Sequence, residues 1–455
     1  MSSTTLLRPA PLVAAGLLGS VRELRRDFLG TLLAAHRDYG DLVRLRVGPP
    51  KIGPEIHFLF HPEGAHQIFG SRWQDYRKDT RFYQEMRGIL GDGLLTSQDD
   101  EWLRQKRFLQ PLFTVRRVNG YAEAMAEEAA RLTRELRHRN ESVLDVHAEM
   151  TRLTLRIVVR VLFGADSELA LPVVRRAFPV LGKAGVIRAF SPVPLPLSWP
   201  TPTNRRARSA QAALFAVCDE IIARRRAVAG QVKGPADDFL GMLLAARDGG
   251  ERLTDQEVRE QVLVFLLAGH ETTSTALSFT LHLLGQHLEI QRRVRDEIAA
   301  VVGDRTPTTE HAKALTYPTM VLKEAMRLFP SAPVIGRRST VPSELCGHLV
   351  PAGVDIVVAP WVIHRHPEFW ESPDVFDPER FTPELEKTRH RYAWMPFGGG
   401  PRTCIGQHFS MLESVIILST LLRDFEFRTV TPRVPVDVRI TLRPKIPMLT
   451  TLRAP

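Results

Sequence analysis

Phe397-Gly398-Gly399-Gly400-Pro401-Arg402-Thr403-Cys404-Ile405-Gly406 is the stretch that decides how this chain folds. It sets one cysteine behind a glycine-rich turn, two residues past an arginine, at the start of an apolar helical stretch over 407–424. A cysteine so placed is suited to be a thiolate. Backbone N–H groups at a helix start favour an anion, and Arg402 adds positive charge. The glycines remove side-chain bulk, so main chain can approach a flat ligand closely. The ordinary role of a lone cysteine is that of a small buried hydrophobe. A nucleotide-binding turn fits poorly, because Pro401 and Thr403 break the G-x-G-x-x-G spacing.

The segment resembles the haem-binding loop of cytochromes P450, Phe-x-x-Gly-x-Arg-x-Cys-x-Gly, with every defined position filled. The resemblance implies that Cys404 is the proximal ligand of a haem b iron and that Phe397, Gly398, Arg402 and Gly406 shape the loop around it. No C-x-x-C-H occurs, so the haem is not expected to be attached through thioether bonds.

The most apolar long helical pattern runs over 255–287, with Thr254 and Glu257 forming a capping-box signature at its start. Its middle reads Ala268-Gly269-His270-Glu271-Thr272-Thr273. A glutamate and a threonine are costly in such a helix unless partnered or useful. Zinc is excluded at once, because H-E-x-x-H needs a histidine at 274 and Ser274 stands there. The segment is similar to the P450 oxygen-binding motif, Ala/Gly-Gly-x-Asp/Glu-Thr. That likeness implies that Thr272 hydrogen-bonds dioxygen, that Glu271 relays protons, that Ala268 lies against the haem and that Gly269 leaves space for dioxygen. Taken alone, Thr272 reads as a helix hydroxyl bonded back to the preceding turn.

Glu324 and Arg327 lie three apart on one helical face, between Tyr317-Pro318 and Phe329-Pro330. Such a pair alone is an ordinary surface ion pair. With Pro378-Glu379-Arg380-Phe381 further on, the arrangement resembles the P450 Glu-x-x-Arg helix and its meander arginine. It implies a structural triad of Glu324, Arg327 and Arg380. For haem propionates the candidates are Arg402, Arg337 and, on a Trp-x-x-x-Arg-like helix, Trp102 with Lys106. Lys106 brings charge without the bidentate fork of arginine, and a surface role suits it equally. Family geometry assigns Leu94, Leu95, Phe265, Ala332 and Val334 to the substrate pocket, although each is equally a candidate core residue.

Helical periodicity also marks 21–39, 121–139, 144–162, 207–229, 290–302 and 407–424. Strand-like pieces fall early, at 42–47 and 57–60, and late, at 349–350, 355–358 and around 434–442. Pairing of early with late strands would argue against separate terminal domains. A chain of 455 residues has the length of about three average domains, yet no linker cuts it. The expected fold is mainly α (α+β): a single cytochrome P450 domain over 1–455, a triangular helical prism with a small β subdomain. The haem is expected between the 255–287 helix and the 397–424 loop and helix. The proline-rich segments 191–203 (SPVPLPLSWPTPT) and 367–383 read as irregular connectors. In P450s the link corresponding to the first lines the substrate entrance.

Three scattered cysteines, Cys218, Cys346 and Cys404, form no disulfide framework and suit a reducing cytoplasm. The apolar stretch at 9–21 is too short to span a bilayer and lacks a basic n-region and an obvious cleavage site, so neither a membrane anchor nor a signal peptide is expected. Net charge is +10, from 61 basic and 51 acidic residues, with no aromatic-basic stripe, so nucleic acid is not an expected partner. A basic face would instead suit an acidic electron donor.

The resemblance implies a monomeric monooxygenase that inserts one atom of dioxygen into a C–H bond of a hydrophobic small molecule, a terpene or other natural-product intermediate or a fatty acid. Residues 425–455 leave no room for a fused reductase, so NAD(P)H electrons are expected through a separate ferredoxin and ferredoxin reductase. Two rival readings keep the same haem: a peroxygenase or haem-thiolate isomerase, against which the Glu271-Thr272 pair speaks, and a non-enzymatic haem-thiolate sensor.

Overall fold

The computed structural model describes residues 7–13, 19–51, 53–139, 143–189, 196–228 and 238–453. Parts of the 9–21 and 191–203 stretches and the end of 207–229 lie outside the described residues. Contacts divide the chain into two compact units, Met1–Tyr83 with Met326–Cys404, and Gln84–Ala325 with Ile405–Pro455.

The first unit is organised by a five-stranded sheet, ordered Leu42–Arg46, Glu55–Leu59, Asp355–Val358, Ile335–Ser339 and Tyr76–Arg77. Early and late strands do pair, with Phe58 beside Val357 in a parallel ladder. Leu42, Val43 and Leu45 are buried, while Arg44 and Arg46 reach Glu55 at 2.8 and 2.7 Å. Leu42, Leu59, Ile356 and Val358 join Ile68 and Phe69 in the core. Burying each such side chain contributes about 1.5–3 kcal/mol. The helix predicted over 21–39 is broken into Val21–Arg26 and Phe28–Tyr39. Asp27 leaves helical geometry (φ −152°) and its carboxylate accepts from the Gly30 N–H, capping the second piece.

The second unit is helical, with Ala122–Arg137, Val146–Phe163, Ser167–Ala189, Pro202–Val228, Asp255–Leu284, Leu288–Val301 and Gln407–Asp424 as its long elements. Asp255–Leu284 begins with the predicted capping box: the Glu257 N–H donates to Thr254 Oγ1 and the Thr254 N–H to Glu257 Oε2. It stops before the predicted 287 because Gly285 abuts the Glu426–Thr429 strand, whose Thr429 N–H donates to the Gly285 carbonyl at 3.1 Å. Among the described residues this helix alone is long and apolar enough to cross a membrane. Since 78% of its apolar window is buried, it is a core helix here. Ser167–Ala189 is absent from the sequence reading because Pro172 and Pro179 lie inside it, yet the helix runs through both. Val143–Asp145, Leu449–Arg453 and Glu426–Thr429 form a small sheet, and Val436–Val438 pairs with Leu442–Pro444 as a hairpin.

Candidate active site

In the first unit the cysteine loop is closed by its own backbone. The Cys404 N–H donates to the Phe397 carbonyl at 2.9 Å, and the Gly398 N–H to Met395 at 3.0 Å. Gly398 and Gly400 hold φ of 71° and 66°, which favours glycine at both positions. A Cβ on Gly400 would collide with the Phe69 carbonyl, and one on Gly399 with the Tyr392 ring. The glycines therefore serve close main-chain packing, and Cys404 stays exposed. In the second unit Gly406 caps the Gln407–Asp424 helix, which has the predicted bounds.

Three cations act around this loop. Burial pushes the Lys78 ammonium well below its ordinary value, Arg337 and Arg402 push it further by repulsion, and Cys404 draws it back. Arg337 is buried, lies 4.6 Å over the Phe69 ring and donates to the Gly336 carbonyl. Desolvation lowers its pKa, against a hydrogen bond to Tyr83. It is a strand residue paired with Ile356. This concentration of positive charge beside one thiol fits haem b, whose two propionates and thiolate ligand would relieve it. The sequence reading found Arg337 and Arg402 and missed Lys78, since no local pattern separates Arg77-Lys78 from a surface pair.

Arg327 is fully buried and donates to the carbonyls of His364, Pro373 and Val375 at 2.8, 2.6 and 3.1 Å. Arg380 donates to Ser372 O at 3.2 Å, so both arginines brace the same meander. Glu324 is fully buried on the Thr316–Leu328 helix that carries Arg327. His364, unremarked in the sequence, accepts from the Met395 N–H at 2.9 Å and faces Arg327 O at 3.2 Å. It thereby ties the meander to the approach to the cysteine loop. Burial pushes its pKa to about 3.

In the second unit the Asp255–Leu284 helix is buried almost all round, but Ala268 is exposed and Gly269 and Thr272 are half-buried. These positions, at i, i+1 and i+4, leave one open stripe at mid-helix, suited to a flat ligand. Thr272 Oγ1 donates to Ala268 O at 2.6 Å, the ordinary back-bond, and its side chain still borders the stripe. The space expected at Gly269 is absent on its Cβ side. A Cβ there would lie 2.8 Å from Val158 Cγ2, so the glycine serves packing against Val146–Phe163. His270 is buried edge-on to Phe178.

Glu271 is buried and points to the hairpin, ion-paired with Arg443 and accepting from Thr441 Oγ1 at 3.1 Å. Thr273 joins the helix to Gln407–Asp424 through Ser410 Oγ at 3.1 Å. Below that contact Glu413 is fully buried, its carboxyl pushed well above the usual range by burial and eased by the Thr273 hydroxyl.

Trp102 is buried, and the Lys106 ammonium lies 5.1 Å over its ring. Leu94 and Leu95 are half-buried, and the Leu94 N–H donates to Gln261 Oε1 at 2.9 Å. Phe265 packs its ring against Phe113 and Phe239 at 5.1 and 4.9 Å, so much of its apolar surface goes to that cluster. In the first unit Ala332 and Val334 are half-buried.

His36, Asp41 and His366 also converge in the first unit, with ligand atoms within 4.8 Å. Their chemistry is that of a hydrogen-bonded cluster. The Glu368 N–H donates to His366 Nδ1, which leaves the proton on Nε2 to be donated to Asp41. The same logic makes His61 a donor, since its Nδ1 accepts from the Glu63 N–H.

The cysteine loop and the cations around it suit a haem-thiolate protein. Comparison with sequence families matches Cytochrome P450 over residues 8–450. Cyclooctatin synthase of Streptomyces melanosporofaciens is 34% identical over 92% of this chain and 89% of its own length. Cyclooctat-9-en-7-ol 5-monooxygenase of the same organism is 33% identical over 91% and 88%. The crystal structure of the cytochrome P450DA heme domain superposes with a TM-score of 0.88 at 27% identity, covering 99% of this chain and 98% of that one. The chain belongs to the cytochrome P450 family and has its mainly α fold. It is a haem b monooxygenase, an oxidoreductase that uses dioxygen, a hydrophobic substrate and redox partners.

Proposed function

We propose that this P450 hydroxylates a cyclic, largely apolar terpenoid at an unactivated C–H bond, with Cys404 as the iron ligand. The whole chain would act as one domain that holds a single haem. The observation that carries the reading is the exposed Cys404 on its closed glycine loop, with Lys78, Arg337 and Arg402 acting around it. The relative that acts on cyclooctat-9-en-7-ol supports the substrate class, as do the apolar half-buried candidates Leu94, Leu95, Ala332 and Val334.

When bound, the haem supplies dioxygen activation: R–H, O2, two electrons and two protons give R–OH and water. Arg402, Arg337 and Lys78 hold the propionates. Ala268 and Gly269 leave the helix face open, and Thr272 offers a hydroxyl there. Glu271 moves protons to that hydroxyl from outside the pocket. Leu94, Leu95, Ala332 and Val334 exclude water around the substrate. Electrons arrive from a ferredoxin and its NAD(P)H-dependent reductase, and the protein works as a cytoplasmic monomer.

The test is a spin-state screen of the purified holoenzyme against terpenoid alcohols and fatty acids, followed by turnover with a ferredoxin system. A terpenoid that shifts the Soret band and gives a hydroxylated product is the expected result. Turnover of fatty acids alone, or with peroxide alone, overturns the proposal. Cys404→Ala should abolish the red-shifted Soret band of the reduced, CO-bound protein, and a retained band removes Cys404 as ligand.

A further inference from the structure

Tyr392 stands before the cysteine loop in the chain and belongs to none of its motif positions. It is buried in the same core as Ile68, Phe69 and Met395. A Cβ on Gly399 would strike its ring, so the ring stands directly against the main chain of the glycine turn. At the other end of the ring, a Cβ on Gly70 would lie 2.7 Å from the phenol oxygen. The Gln67–Ser71 turn, which carries Gly70, itself meets Gly400 at the Phe69 carbonyl. Tyr392 therefore fills the angle between the two turns. Burial pushes its phenol above the ordinary value, while the Arg391 charge and a hydrogen bond from the Gly400 backbone draw it back. One side chain thus engages two adjacent glycines of the loop, Gly399 by packing and Gly400 by a hydrogen bond.

The tyrosine is held at its backbone and at its ring. Its N–H donates to His390 Nδ1 at 3.2 Å, capping the short Arg391–Ala393 turn. That bond leaves Nδ1 without a proton, so Nε2 donates to Glu63 Oε2 at 3.2 Å. The second Glu63 oxygen lies 3.4 Å from His66 Nδ1, and the His66 ring packs 5.2 Å from that of Tyr392. Glu63 is 66% exposed, so its two contacts are weak singly. The cap from His390 and the packing of the ring are the stronger restraints.

We propose that Tyr392 is a positioning residue for the Cys404 thiolate: its ring and hydroxyl fix the Gly399–Gly400 main chain, and His390, His66 and Glu63 keep that wedge in place. The fixed backbone passes its order on through two bonds, Thr403 N–H to the Gly400 carbonyl at 3.0 Å and Cys404 N–H to the Phe397 carbonyl at 2.9 Å. The inference rests on the reading of Cys404 as the iron ligand.

The test compares Tyr392→Leu, Tyr392→Phe, His390→Ala and His390→Asn as holoenzymes, by amide hydrogen exchange and by the reduced, CO-bound spectrum. In Tyr392→Leu the amides of the cysteine loop should exchange several-fold faster, while those of the Asp355–Val358 strand keep the parent rate. The red-shifted Soret band should also decay several-fold faster on standing. Tyr392→Phe keeps the ring but leaves the Gly400 backbone without its bond, so a smaller change of the same kind is expected. His390→Asn still offers an oxygen to the Tyr392 N–H and should stay near the parent, whereas His390→Ala should follow Tyr392→Leu. Unchanged loop exchange and band lifetime in both Tyr392→Leu and His390→Ala overturn the proposal. So does a rise in exchange that is equal in loop and strand, which would make Tyr392 an ordinary core residue. A parent protein without the red-shifted band overturns the reading of Cys404 as ligand, and the exchange rates then decide on the wedge alone. If Tyr392→Leu does not fold, His390→Ala and Tyr392→Phe decide on the same readouts.

Discussion

Full burial makes the ionised form of Glu413 costly and pushes its carboxyl well above the usual range, and the Thr273 hydroxyl eases that shift. The folded-state pKa is raised, so the neutral acid contributes stability below its ordinary value of 4.5, and that contribution is lost as pH climbs toward the folded value. Glu413→Gln keeps the shape and cannot ionise. Its urea midpoint should move above that of the parent protein as pH rises from about 5 to 8, by on the order of 1–3 kcal/mol. A constant difference across that range would refute a buried neutral acid. Residues differ in how legible they are. Cys404, Arg402 and the Glu271-Thr272 pair announce themselves because thiol, charge and turn, and acid and hydroxyl, are contiguous in the chain. Arg443 does not, since its partner lies 172 residues away and the pair exists only after the hairpin has docked.

Among the elements, the Thr316–Leu328 helix and the meander show what an interior arginine can do that a lysine cannot. The Arg327 guanidinium reaches three carbonyls, of His364, Pro373 and Val375, from one rigid fork. A lysine has one ammonium on a flexible stem and leaves at least one of these carbonyls unmet, at roughly 1–3 kcal/mol for each buried group. Arg327→Lys should therefore lower stability by at least about 1–3 kcal/mol. It should also reduce haem content per chain, measured by pyridine haemochrome, while the haem-loaded fraction keeps its turnover number. A fully loaded variant with altered turnover would instead place Arg327 in the chemistry. Elements with a strong period were legible to the residue, as in 407–424 and 355–358. Others failed for identifiable reasons. Local propensity could not foresee that Ser167–Ala189 tolerates two prolines. Nor does periodicity anticipate Ile335–Ser339, which becomes a strand only because Asp355–Val358 and Tyr76–Arg77 flank it.

On the scale of the whole molecule, buried histidines set the acid limit. Burial holds His57, His147 and His282 at about 4 and His364 at about 3. Repulsion from Arg44 helps at His57 and from Arg327 at His364. Each has a folded-state pKa below the ordinary 6.5, so the neutral ring stabilises the fold above that value. The contribution is lost as pH falls from 6.5 toward 3 or 4, because the unfolded chain takes up protons that the folded chain refuses. Each histidine adds a slope of up to about 1.4 kcal/mol per pH unit. Between pH 4.5 and 6.5 Glu413 works in the opposite sense, but one group opposes four. The +10 net charge adds repulsion as further protons bind. Stability of the holoenzyme in urea should therefore peak near or above pH 6.5 and fall steeply below it. His147→Gln should remove one proton's share of the acid slope, and the remaining three histidines should keep the direction. A stability curve that is flat from pH 6.5 to 4.5, or that rises on acidification, would show that these histidines are already protonated in the folded chain.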